Sequence, residues 1–111
     1  MYWKIGAMFG MTAVMAGSFG SHGLRGKVGE RELQVWETAV KYQVYHSLAI
    51  LLTVMKGGPK AYIPCALFTT GITIFSGSLF GLVLTGNKAL GAITPIGGTA
   101  LIAGWLSLAF I

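Results

Sequence analysis

The feature that most limits what this chain can become is the length of its uncharged apolar runs. Ile5 to Gly23 contains no Lys, Arg, Asp or Glu, nothing charged lies between Lys60 and Lys88, and Ala89 to Ile111 is again uncharged. At about 1.5 Å per helical residue the first run alone reaches about 28 Å, close to the thickness of a bilayer's hydrocarbon core. A soluble protein of 111 residues has too little interior to hide such runs, because small domains leave much of their chain at the surface. With 54% of residues hydrophobic and 10% charged, that surface would be largely apolar, which is tolerated where the solvent is lipid. The chain is therefore predicted to be all-α and polytopic. The expected fold is a four-transmembrane-helix bundle in one membrane domain over residues 1–111, with approximate spans 5–23, 40–55, 61–84 and 92–111.

Local signals set these boundaries. Lys4 ahead of the first run and Ala16-Gly17-Ser18 within it also fit a secretory leader, but the run is read as a retained membrane helix. Between it and the second span, Arg25, Lys27, Glu30, Arg31, Glu32, Glu37 and Lys41 form a charged, partly helical segment. Gly26 and Gly29 begin it as a turn, and from Glu30 no Gly or Pro interrupts the chain until Gly57, so one long helix is expected to start in water and enter lipid near Val40. Lys56-Gly57-Gly58-Pro59-Lys60 is a turn, and Pro64 falls in the first turn of the next helix, where its missing N–H costs no bond. A second turn follows at Thr85-Gly86-Asn87-Lys88, and Thr94-Pro95 reads as an N-cap with a first-turn proline. No internal repeat is visible.

The formal charge is +5, yet the basic residues are scattered singly or in twos, which argues against nucleic-acid binding and for loops flanking a membrane. Lys4, Lys56 and Lys60 fall on one side, against Arg25, Lys27, Arg31, Lys41 and Lys88 on the other, which places both termini outside by the positive-inside rule. Cys65 is the sole cysteine, so no intrachain disulfide exists, and its apolar setting makes it a small buried hydrophobe.

Few residues suggest chemistry. Gly6 and Gly10, and again Gly77 and Gly81, form G-x-x-x-G steps, with Ala13/Gly17 and Ala100/Gly104 as weaker pairs. Such spacing permits close helix packing within a chain or between chains. His22 and His46 are expected near one membrane face, where they could ligate haem or metal, or relay protons with Glu37 and Tyr42. The preferred reading makes each a hydrogen-bonding group that fixes packing against a neighbouring helix. Trp36, Tyr42 and Tyr45 suit the membrane interface, and Glu37 and Lys41 at i,i+4 form an expected surface pair. Thr69, Thr70, Thr73, Ser76 and Ser78 are expected to return hydrogen bonds to their own backbone and not to line a pore. No serine sits in a G-x-S-x-G elbow, so a hydrolase is not expected.

The segments Gly20-Ser21-His22-Gly23-Leu24, Val35-Trp36-Glu37-Thr38-Ala39-Val40-Lys41-Tyr42-Gln43-Val44-Tyr45-His46-Ser47-Leu48-Ala49, Phe75-Ser76-Gly77-Ser78-Leu79 and Leu90-Gly91-Ala92-Ile93-Thr94-Pro95-Ile96-Gly97-Gly98, followed by Gly104-Trp105-Leu106, resemble a known family. It is the group of small membrane proteins called transmembrane protein 256 homologues, or domain of unknown function 423. The resemblance covers essentially the whole chain, with Ser21 standing where an alanine is common. It implies a multi-pass protein of bacterial plasma membranes or, in eukaryotes, mitochondria, and it supplies no catalytic residues. The expected function is non-enzymatic, as an accessory or assembly component of a larger membrane complex. A small oligomeric transporter or channel is the alternative, and a haem- or metal-binding module through His22 and His46 the third. Membrane lipid and other membrane subunits or further copies of the chain are the expected partners, with no cofactor.

Overall fold

Where the chain lacks Gly and Pro it runs unbroken as helix. The computed structural model describes all 111 residues, and its four α-helices are α1 (Tyr2–Phe19), α2 (Glu30–Lys56), α3 (Tyr62–Thr85) and α4 (Thr94–Ala109). Glu30 and Glu32 sit in the first turn of α2, where carboxylates complement the helix dipole. Gly57 at φ 71° ends α2, and Gly86 at φ 73° ends α3 while its N–H returns to Leu82 O at 2.8 Å. Both positive angles are left-handed backbone that glycine adopts without strain.

One boundary and one cap differ from expectation. The first helix widens into a π-turn over Gly20–Leu24 instead of ending cleanly at Gly23. The last apolar run is broken where Thr94-Pro95 marked a helix start: Lys88–Ala92 is a 3₁₀ segment capped by the Asn87 side chain, and α4 begins at Thr94. Thr94 is not the N-cap of α4. Ile93 holds that position, and Thr94 Oγ1 instead lies 2.6 Å from Ser78 Oγ on α3. A bond to a neighbouring helix has displaced the local cap.

The helices pack antiparallel in chain order, α1 on α2, α2 on α3 and α3 on α4, while α1 and α4 do not pack on each other. The arrangement is therefore an open, folded row of helices and not a closed ring, within principal extents of 47 × 26 × 18 Å. Its main core is Ala49, Ile50, Cys65, Phe68, Ile72 and Leu101, and a second cluster of Leu24, Trp36 and Val83 closes the end nearest the charged loop. Cys65 is buried at 1% exposure among apolar side chains.

Two helical stretches, Tyr62–Thr85 and Lys88–Ala109, are long and apolar enough to cross a membrane. Only 33% and 17% of their most apolar windows are buried within the chain, so most of that surface faces outward, unlike the core helix of a soluble protein. The outward faces of the other two are apolar over much of their length as well. Met8, Met11, Val14 and Met15 are exposed on α1, and Leu48, Leu52 and Met55 on α2.

Candidate functional site

The polar residues of α2 form the most organised constellation in the molecule. Side chains seven apart on a helix share a face, and this helix uses two such faces. Trp36 and Gln43 point at α1: the Trp36 indole donates to Ala16 O at 2.7 Å, and Gln43 Nε2 donates to Phe9 O at 2.9 Å and Thr12 Oγ1 at 2.7 Å. The Thr12 hydroxyl passes its own proton to Met8 O at 3.0 Å. Gly20 makes the first contact possible, since a Cβ there would stand 2.6 Å from Trp36 Cδ1. Trp36 also meets Phe19 and Phe80 at centroid distances of 5.6 and 4.5 Å.

The other face carries Ala39 and His46. Ser76 on α3 donates to Ala39 O at 2.8 Å, and Trp105 on α4 donates its indole N–H to His46 Nε2 at 3.0 Å. An indole nitrogen can only donate, so His46 Nε2 is the acceptor. The proton therefore sits on Nδ1, which donates to Tyr42 O at 2.6 Å. The hydrogen-bond geometry thus fixes the neutral Nδ1–H tautomer and leaves neither ring nitrogen free. Phe68, fully buried, lies 5.7 Å from the imidazole and 5.2 Å from the Trp105 ring. Gly104 admits the Phe68 ring, for a Cβ there would be 2.7 Å from Phe68 Cδ1. Tyr42 stacks on Phe75 at 4.8 Å, and with Tyr45, His46, Ile102 and Trp105 it lines an outward-facing cleft of about 380 Å³.

The family described as a protein of unknown function, DUF423, matches residues 16–98. Among curated proteins the chain is 50% identical over 107 residues to a UPF0382 membrane protein of Staphylococcus aureus, covering 94% of this chain and 88% of the relative. Similar proteins of Staphylococcus haemolyticus and Staphylococcus saprophyticus are 48% and 45% identical, each over 94% of this chain and over 88% and 89% of the relatives. The chain belongs to the DUF423 family. It is a membrane protein of that family, and no solved structure matches it.

In this DUF423 chain, the stretch from Val35 to Ala49 that carries the family resemblance is the same stretch that ties α2 to its three neighbours. Gln43, Thr12 and Trp105 were not assigned roles by sequence reasoning, and Ser76 was expected to bond its own helix. Their signal was depth: a polar side chain inside an apolar run needs a partner, and each of these has one on another element.

The two histidines do not come together. The position a Gly10 Cβ would occupy is 3.7 Å from Ser47 Oγ, so His46 is level with that part of α1, and His22 lies twelve residues further on, about 18 Å at 1.5 Å per residue. His22 is exposed in the π-turn. The expected joint placement near one face is therefore incorrect, because α2 carries His46 deep alongside α1. Tyr42 stacks on Phe75 at the middle of α3, away from either end of that helix. Glu37 and Lys41 are both exposed, and no intrachain ion pair within 4.0 Å joins them. They line instead a shallow groove of about 170 Å³ with Gly17, Gly20, Ser21, Trp36 and Val40.

The glycine steps separate by contact. Gly6 is seated against Leu51, 2.9 Å from a would-be Cβ, Gly10 is in looser contact with Ser47, and Gly81 meets Leu90 at 3.0 Å. Gly77 meets nothing within 4 Å, so no helix of this chain packs on it. It opens onto a groove of about 410 Å³ between α1 and α3 that Phe9, Thr12, Gln43 and Thr73 also line. The closest helix contacts fall on glycines without a G-x-x-x-G partner: a Cβ on Gly71 would lie 2.5 Å from Leu101 Cδ2, and one on Gly97 would strike the Phe75 backbone. Among the hydroxyls of α3, Thr73 and Ser78 bond their own helix as expected, whereas Ser76 crosses to α2.

Proposed function

We propose that all four helices cross the bilayer, that both termini lie on one face, and that the protein is a non-enzymatic accessory or assembly component of a membrane complex. One observation carries the reading. Three buried polar side chains near the middle of the helices, Gln43, His46 and Ser76, are engaged in hydrogen bonds between helices, while the outward faces of α1 and α4 are dominated by apolar residues. Polar groups committed to holding helices together are not free to bind or turn over a substrate. His46 is the clearest case, with each nitrogen already bonded. Apolar outward faces on α1 and α2 at Met8, Met11, Val14, Leu48 and Leu52 support membrane contact for the first two helices as well. Lys56 Nζ donates to the C-terminal carbonyl of Ile111 at 3.2 Å, placing the chain's end beside the α2–α3 turn and on the same end as α1's start.

The test of the assembly role is purification of tagged protein from its native membrane in a mild detergent, with mass spectrometry of the intact particle and a visible absorption spectrum. A stoichiometric protein partner is the expected result. A colourless particle containing this chain alone, or a chromophore lost on His46→Gln, would overturn the reading.

A further inference from the structure

We propose that the outer face of α2 around Glu37 and Lys41 is a self-association surface. A second copy docks there about a two-fold axis along the membrane normal, so that the Glu37 of each copy meets the Lys41 of the other. The proposal rests on the four-span reading and adds to it a partner and a contact.

The depth of these charges sets the problem. Lys41 adjoins Tyr42, which stacks on Phe75 at the middle of α3, and Phe75 lies ten residues from the end of α3 at Thr85, about 15 Å at 1.5 Å per residue. Around the molecule at this level the exterior carries no other charge and is mostly apolar: α1 exposes Met11, Val14 and Met15 beside the hydroxyls of Thr12 and Ser18, and α4 exposes Ile96. The outer strip of α2 formed by Gln34, Glu37, Thr38 and Lys41 is exposed and polar, and it runs from the level of Gly20 and Ser21 toward the middle of the belt at Lys41. With the neighbouring helices crossing the bilayer, both charges lie within hydrocarbon. Ionisable groups at such depth face protein or pair with one another. A lysine stem can snorkel some way toward the headgroups, but a glutamate on its shorter stem reaches less far.

No partner is supplied within the chain, as Glu37 and Lys41 are exposed and unjoined. Beside them Gly17, Gly20 and Ser21 make the wall of the shallow groove, where small side chains let another helix come close. The groove holds one carboxylate and one ammonium. An anionic lipid headgroup could satisfy only the ammonium. A second copy of this chain presents both groups at the same two depths, and a two-fold axis brings residue i of one copy against residue j of the other and the reverse. The offset of four residues is about 6 Å along the helix, within the span of a lysine side chain.

The experiment uses two full-length variants, Glu37→Lys and Lys41→Glu, each in a mild detergent, with the oligomeric state followed by dilution-dependent energy transfer and sedimentation. Wild type is expected to be a dimer. Either reversal alone places like charges opposite each other and is expected to weaken the dimer at least about thirtyfold. Mixed in equal amounts, the two variants are expected to form a heterodimer, because every carboxylate then faces an ammonium again. That rescue also establishes that both variants are folded. Should a reversal prevent folding, the neutral double variant Glu37→Gln/Lys41→Gln is expected to be folded and to dimerise at least about tenfold more weakly than wild type. A monomeric wild type, reversed chains that dimerise as well as wild type, or a mixture without heterodimer would each overturn the proposal. Lys41→Cys in a Cys65→Ala background separates this failure from that of the four-span reading. Ready reaction with a membrane-impermeant thiol reagent would mean that the strip lies in water and that the four-span reading fails. Protection without dimerisation would sink self-association alone.

Discussion

Replacing Gly97 by alanine adds one methyl group where α3 and α4 touch, and the structure fixes what that methyl meets. Its position lies 2.8 Å from Phe75 Cα and 2.9 Å from Phe75 Cβ and still nearer the Phe75 backbone nitrogen. Non-bonded carbon atoms rest at about 3.5–4.0 Å, so the helices must separate locally by about 0.5–1 Å. The obstacle is backbone and cannot rotate away as a side chain would. Gly71 against Leu101 and Gly104 against Phe68 lie on the same seam, and a gap of that size forfeits about a quarter to a half of the dispersion attraction across it. Overpacking of this kind costs about 1–3 kcal/mol, and this site belongs at the upper end. Alanine's better helix propensity returns at most about 1 kcal/mol, leaving a net loss of about 2 kcal/mol. Gly77→Ala is the internal control, because nothing lies within 4 Å of its added methyl. There the propensity term stands alone, and the variant is expected to be neutral or more stable by up to about 1 kcal/mol. Reversible unfolding in mixed detergent micelles, followed by circular dichroism, measures both. Gly97→Ala as stable as wild type would refute the seam, and Gly77→Ala destabilised by as much as Gly97→Ala would refute the distinction between a packed glycine and an open one.

His46→Leu removes the acceptor of the Trp105 indole and a donor to Tyr42 O, and is expected to cost about 1–3 kcal/mol through polar groups left unpaired; His22→Ala, at an exposed site, is expected to stay within about 0.5 kcal/mol of wild type. The same unfolding assay decides between them, and equal effects would contradict the separate placement of the two histidines. Gln43→Leu breaks two bonds to α1 and is expected to cost about 0.6–1.7 kcal/mol, the range of hydrogen bonds between membrane helices. Combining it with Thr12→Val should cost less than the sum of the two single changes, which a double-mutant cycle reads directly.

Helix positions were legible in the sequence because glycine, proline and charge punctuate it. Gly57 and Gly86 end helices where the Gly-Gly-Pro and Thr-Gly-Asn turns placed them, and Pro64 stands in the first turn of α3. The packing level of α2 against its neighbours was not legible. Its charged first half suggested a helix lying partly in water, whereas Gln43 and Tyr42 set the end of that half beside the middle of α1 and α3, and Trp36 reaches Ala16 and Phe80 nearer their ends. Hydropathy averages over a helix's circumference, so it cannot separate an inward polar face that ties helices from an outward one. The same limit applied to the glycines. Spacing selected Gly77 and Gly81, but which glycine touches a neighbour depends on helix rotation, and Gly71 and Gly97 have no small residue four positions away along the contact that would have flagged them. The tie between His46 and Trp105 joins residues 59 apart, a pairing that one sequence does not encode visibly.

Sidedness of the loops tests the four-span account most directly. In a Cys65→Ala background, single cysteines at Tyr2, Gly58 and Ile111 and at Lys27 and Asn87 sample the two ends of the helix row, and each can be labelled with a membrane-impermeant reagent from either side of an oriented vesicle. If all four helices cross, positions 2, 58 and 111 react from one side and positions 27 and 87 from the other. Reaction of positions 2, 27 and 58 all from one side, with position 87 alone opposite, would leave only the last two helices in the bilayer and contradict the account.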